Sequence, residues 1–151
     1  MVVNITVKIK DFDKIKKAWE QAPAKLSQEI HTAVGKTIMK VEGEAKREAP
    51  VNKQSGGGNL RQSIRSQMNG VASGVVEVGV NYAVPVHEGT RPHIIRARNA
   101  KSLANKRSGQ FFGRIVNHPG TKANPFLQRA VDNSQPEIDV YFEATVNNLF
   151  K

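Results

Sequence analysis

AKLSQEIHTAVGKTIMKVEGEAKRE, residues 24–48, is the longest stretch of the chain that keeps one period. Leu26, Ile30, Ala33, Val34, Ile38, Val41 and Ala45 recur at helical spacing and make a single apolar stripe, with Lys25, Glu29, Lys36, Lys40 and Glu44 mostly off it. The spacing predicts a helix of about 37 Å at 1.5 Å per residue. Gly35 and Gly43 weaken it slightly. Pro50 ends it, because the residue before a proline is pushed out of the helical region.

Beyond the helix, Val51 to Asn59 contains Ser55-Gly56-Gly57-Gly58-Asn59, a flexible loop. Leu60 to Met68 reads as a strand, Asn69-Gly70 as a turn, and Val76, Val78 and Val80 mark a second strand, so the two form a hairpin. Asn81 to Pro92 closes that alternating run. Its Pro85 does not suit a central strand, and the chain turns at Glu88-Gly89-Thr90. His93 to Ile95 is then extended, Ser108-Gly109 turns, and Phe111 to Val116 returns, which predicts a long hairpin arm. Asn124 caps a helix that Pro125 begins, with Phe126, Leu127, Ala130 and Val131 on its buried face. Pro136 restarts a last helix carrying Ile138, Tyr141, Phe142, Val146, Leu149 and Phe150.

Upstream of the long helix, Val3, Ile5, Val7 and Ile9 alternate as a half-buried strand. Phe12, Ile15 and Trp19 then predict a short helix to about Gln21, broken at Pro23. The expected fold is α+β. A small, mostly antiparallel sheet packs against one long helix, with a C-terminal helical segment and a protruding basic β-hairpin arm. With 151 residues, a single domain over 1–151 is expected, the arm spanning 91–122.

Charge is unevenly distributed. The net charge is +10, yet Gly89 to Val131 contains no Asp or Glu and nine Lys/Arg, whereas the remainder holds 14 Lys/Arg against 13 Asp/Glu. The positive excess is therefore one patch, suited to a polyanion or an acidic protein face. Its arm residues are Arg91, Arg96, Arg98, Lys101, Lys106, Arg107, Arg114 and Lys122. No run of eighteen apolar residues occurs, so no membrane span is expected. The first residues lack a basic leader with an apolar block, so no signal peptide is expected either. The absence of cysteine removes disulfides, thiolate catalysis and cysteine zinc sites, and fits synthesis in a cytoplasm.

The residues offer little to catalysis. His31, His87, His93 and His118 are too scattered for a metal site, and no helical His-x-x-x-His pair occurs. There is no Gly-x-Ser-x-Gly elbow and no phosphate-binding Gly-x-x-x-x-Gly-Lys-Ser/Thr loop. The reading is therefore not an enzyme, with no catalytic residue, metal or cofactor. Sequence-independent phosphate contact by the arm, with Phe111 and Phe112 as occasional aromatics, stays open beside docking on an acidic neighbour.

Three blocks, in order, carry a resemblance. They are Ala49-Pro50-Val51 with Ser55-Gly56 to Ile64, Tyr82-Ala83 with Val86-His87-Glu88-Gly89-Thr90, and Asn117-His118-Pro119-Gly120-Thr121 with Asn124-Pro125-Phe126-Leu127. Over roughly 24–135 the chain resembles the head–tail connector or tail-completion (neck) proteins of long-tailed bacteriophages, a set that includes the lambda minor tail protein Z group. The motif positions would keep the fold. Pro50 stops the helix, Gly56 allows the loop, and Leu60 and Ile64 re-enter the core. Tyr82 and Val86 pack beneath the turn formed by Gly89 and Thr90, Pro125 starts the last segment, and Phe126 anchors it.

The resemblance implies a structural virion protein, made in the host bacterial cytoplasm. It would form a homo-oligomeric ring at the head–tail junction, touching connector, portal or tail-tube and terminator proteins. DNA would pass through without sequence-specific contact. The alternative from charge alone is a small non-specific nucleic-acid-binding protein acting through its arm.

Overall fold

The computed structural model describes residues 13, 16, 23–51, 57–98, 100–105 and 108–149. The strand expected over 3–9, most of the short helix to about 21, and the loop residues around Gly56 lie outside them. Asp13 and Lys16 are helical and exposed. The architecture is α+β, as expected, and the chain divides into two compact units: one from residues 1–83 and 125–151, the other Val84–Asn124.

The first unit is organised on helix α1, Pro23–Glu48. Leu26, Ile30, Ala33, Val34, Val41 and Ala45 are buried, at the spacing the stripe required. Helix α2 is one turn, Asn59–Gln62, and strands β1, Ile64–Met68, and β2, Gly74–Val78, pair antiparallel with Ile64 opposite Val78 and Ser66 opposite Val76. The expected strand over 60–68 is thus a helical turn followed by a strand. Leu60 and Ile64 are both buried. A separation of four residues satisfies either period, so their pattern could not tell helix from strand. Gly58 at φ 142° and the Ser63 hydroxyl, donating to the Leu60 carbonyl at 2.8 Å, favour the turn.

The hairpin lies against α1 at close range. A Cβ at Gly74 would come within 2.9 Å of Ile38 Cδ1, so glycine here sets the approach of strand to helix. Glu42 ties the same two elements together. Its Oε2 accepts the Ser66 N–H at 2.8 Å and the Ser66 hydroxyl, and its other oxygen pairs with Lys46. Burial pushes the Glu42 carboxyl up, but Lys46 and the two Ser66 donors outweigh it and hold the group below the ordinary carboxylate range. A carboxylate depressed in this way stabilises the fold fully above its unfolded value of about 4.3, and the contribution is lost as pH falls through the folded value. In Glu42→Gln, the loss of stability on acidification below about pH 4.3 should be shallower than in the parent. Urea titrations across that range measure it, and parallel curves would assign the acid response to other groups.

Helix α3, Ala83–Glu88, begins where the sequence suggested only the end of a strand and a turn. Pro85 is compatible because its missing N–H falls in the first helical turn, where no intrahelical partner exists. Helix α4, Phe126–Leu149, runs unbroken through Pro136. The expected restart does not occur. Phe126, Leu127, Ala130, Val131, Ser134, Ile138, Phe142 and Thr145 form one buried stripe on both sides of the proline. Pro136 itself is exposed, which leaves the carbonyl one turn back on the solvent side. The α4 stripe packs along α1 antiparallel: Arg129 pairs with Glu48 at 2.6 Å, Glu137 with Lys40, and the Lys25 ammonium reaches the Asn148 carbonyl.

Candidate functional site

The second unit holds the basic residues. Strands β3, His93–Arg96, and β6, Ile115–His118, pair antiparallel with His93 opposite His118 and Arg96 opposite Ile115. Strands β4, Leu103–Ala104, and β5, Phe111–Gly113, continue the ribbon with an irregular register. The Asn105 N–H donates to the Gln110 carbonyl at 2.8 Å near the tip, where Gly109 has φ 67°. The expected hairpin arm is present, as two short ladders.

The base of this ribbon is a tight crossing of two segments. Thr90 and Thr121 exchange both backbone hydrogen bonds at 3.0 and 3.1 Å, and their hydroxyls lie 3.0 Å apart. Gly89, at φ 75°, has no room for a side chain, since a Cβ would meet the Thr121 carbonyl oxygen at 2.5 Å. Gly120, at φ 87°, is the reciprocal case, with a Cβ 2.2 Å from the Thr90 carbonyl oxygen. The Asn124 N–H is shared between the Val86 and His87 carbonyls at 3.1 Å each. Just above the crossing, the His93 and His118 rings stack at 4.9 Å. His93 Nδ1 faces the Arg91 carbonyl at 2.9 Å, so it carries the proton, whereas His118 Nδ1 accepts the Gly120 N–H at 3.1 Å. These two histidines brace the hairpin base. Among the described residues, no group of three or more His, Cys, Asp or Glu could hold a metal ion.

Arg91, Arg96, Arg98, Lys101, Arg114 and Lys122 are all exposed, while Lys106 and Arg107 fall outside the described residues. None of the ion pairs among the described residues involves this ribbon: three lie within α1 and two join α1 to α4. The ribbon also exposes apolar side chains: Ile94, Ile95, Phe112, Ile115 and, at 74%, Phe111. Both of its faces are accessible, so the charge of its described Arg and Lys residues is displayed.

The motif positions divide between packing and exposure. Leu60, Ile64 and Phe126 are buried, and Val86 is half-buried. Pro50 and Pro125 are exposed at helix ends, and Pro125 immediately precedes α4. Tyr82 corrects the sequence reading of a packed side chain: it is 46% exposed. With α3 helical, Ala83 takes the buried position instead. The sequence marks Pro119-Gly120 as a turn but does not show which segment Gly120 must clear.

The first unit is thus a helical body with a β-hairpin on it, and the second displays a basic ribbon. Residues 13–90 match the family model described as "Bacteriophage HK97-gp10, putative tail-component". The chain belongs to this HK97-gp10-like family and is thus a structural tail or neck component of a phage virion. The matched residues cover α1, the β1–β2 hairpin and α3, and stop at the base of the arm. No curated protein and no solved structure matches the chain. No helix among the described residues is long and apolar enough to cross a membrane.

Proposed function

We propose that the protein forms a homo-oligomeric ring at the head–tail junction, as a neck or tail-completion component close to the lambda minor tail protein Z group, and that it does so without catalysis. The fold of 1–151 serves as one functional subunit whose arm, 91–122, makes the contacts with neighbouring connector, portal, tail-tube or terminator proteins. The observation that carries this reading is the ribbon itself: among the described residues it displays exposed Arg and Lys beside exposed Ile and Phe, a mixture suited to protein interfaces. Family membership supports the location in the virion. Ring closure would use a head-to-tail interface repeated around an axis.

A second reading keeps the same residues but gives them phosphates. The displayed arginines, with no acid between Gly89 and Val131, favour sequence-independent contact with passing DNA. Light scattering across concentration and salt, with negative-stain images, separates the two. Closed particles of one size support the ring. A monomer that binds duplex DNA tightly, with affinity falling steeply as salt rises, supports the second reading.

Replacing Arg96, Arg98, Lys106 and Arg107 together by Ala should leave circular dichroism and the melting midpoint near those of the parent. Assembly with partner proteins should be lost. A variant that unfolds would show that the arm belongs to the folded core.

A further inference from the structure

The ribbon of one copy needs an occupant for its exposed apolar and basic side chains, and two candidates fit poorly. Another ribbon would oppose like charges, because Val84–Asn124 carries eight Lys/Arg and a single acid, Glu88. Duplex DNA offers phosphates to the arginines but no apolar partner for Phe111, Ile94 or Ile115.

The outer face of α4 offers both. Its exposed residues include Asp132 and Glu143, about three turns apart on one side, and no Lys or Arg, while Glu137 is paired with Lys40 of α1 and Arg129 is half-buried and paired with Glu48. In the middle of this face Val140 is 59% exposed. Beside it, a shallow cavity of about 100 Å³ opens between α1 and α4, lined by Glu29, Ala33, Lys36, Val140, Tyr141 and Ala144. Glu29 and Lys36 offset each other at its rim and Glu137 is paired with Lys40, so the local excess of negative charge comes from Asp132 and Glu143. The volume is of the order of a cavity that admits one benzene ring, about 150 Å³. Phe111 is the most exposed large apolar side chain of the described residues, and Arg114 lies three positions on. An aromatic anchor with an arginine beside it is the composition that concentrates binding energy at interfaces.

We infer that the arm of one copy docks on the acidic outer face of α4 of a second copy, with Phe111 seated in the α1–α4 cavity beside Val140 and the arm's arginines facing Asp132 and Glu143. This rests on the ring reading and names its contact. Each copy then offers one arm and receives one, the head-to-tail relation a closed ring requires.

The chain has no native cysteine, so a mixed disulfide test is clean. A tagged Phe111→Cys chain and an untagged Val140→Cys chain, both altered at exposed positions, are mixed at low salt over rising concentration and oxidised. The expected result is a tagged–untagged heterodimer as the main cross-linked product. Its yield should drop when the Val140→Cys partner also carries Asp132→Lys and Glu143→Lys, both at exposed positions. Ring particles without the heterodimer would overturn this contact while leaving the ring reading standing. No heterodimer and no particles, with salt-sensitive DNA binding that the arm variant loses, would overturn both. A heterodimer indifferent to the charge reversals would overturn the electrostatic part and with it the assigned face.

Discussion

Phe126→Ala lowers the unfolding free energy by about 3–5 kcal/mol, the range for deleting a buried aromatic ring. Phe126 is fully buried and stands at the first residue of α4, where the helix meets the body of the first unit. Leu127 and Ala130 are buried next to it, so the surrounding side chains are themselves fixed and cannot collapse freely into the space left behind. The loss therefore includes a cavity term as well as the transfer term. Phe112→Ala is the matched control: the ring is 46% exposed on the ribbon, and its removal should change stability by about 0.5 kcal/mol or less. Urea unfolding followed by circular dichroism at the helix band reads both, because α1 and α4 supply most of that signal. A change below about 1 kcal/mol for Phe126→Ala would mean that α4 is not held at its start.

The parts of the fold that were legible in the sequence are those where one period dominates. The stripe from Leu26 to Ala45 predicted α1 to within a residue or two at either end, and the alternation of Val76 and Val78 with a turn at Asn69-Gly70 predicted the hairpin. Where the spacing admits two periods, the reading failed. Leu60 and Ile64, four apart, fit a strand and a helical turn equally, and local hydrogen bonding by Ser63 decided between them. The two prolines misled for a shared reason. Pro85 and Pro136 signal interruption, but a proline costs a helix little in its first turn, and a continuous buried stripe can carry a helix past one on the solvent side. The stripe of α4 is visible in the sequence once Pro136 is not treated as a boundary.

The displayed charge was legible too, because it depends only on the absence of Asp and Glu over a long segment. Its setting was not. The acidic face of α4 emerges only when the helix is continuous, since Asp132 then shares a side with Glu143. The clamp of Glu42 on Ser66 and the stacking of His93 on His118 join residues 24 and 25 positions apart, beyond the reach of any local pattern.

Gly120→Ala should dismantle the base of the arm, at a cost of about 3 kcal/mol or more to the second unit. Two effects add. A non-glycine residue at positive φ costs roughly 1–3 kcal/mol wherever it occurs. At Gly120 the new methyl would also lie 2.2 Å from the Thr90 carbonyl oxygen, a separation no packing tolerates, so the two segments must part. Parting them breaks the reciprocal Thr90–Thr121 hydrogen bonds, each worth about 0.5–1.5 kcal/mol net. Gly109→Ala isolates the first effect, because Gly109 also has positive φ, 67°, but open space where its Cβ would be. That variant should lose only about 1 kcal/mol and keep the ribbon. Hydrogen exchange at the amides of Thr90, Ile95 and Thr121 reads the ribbon directly, while the amides of α1 report the first unit. The expected pattern is loss of protection in the ribbon and retention in α1 for Gly120→Ala, with both retained for Gly109→Ala. Equal behaviour of the two variants would show that the strain of positive φ governs the arm and that the crossing at its base does not. Loss of protection in α1 as well would show that the helical body depends on the arm, and the arm's role would then include folding the subunit that carries it.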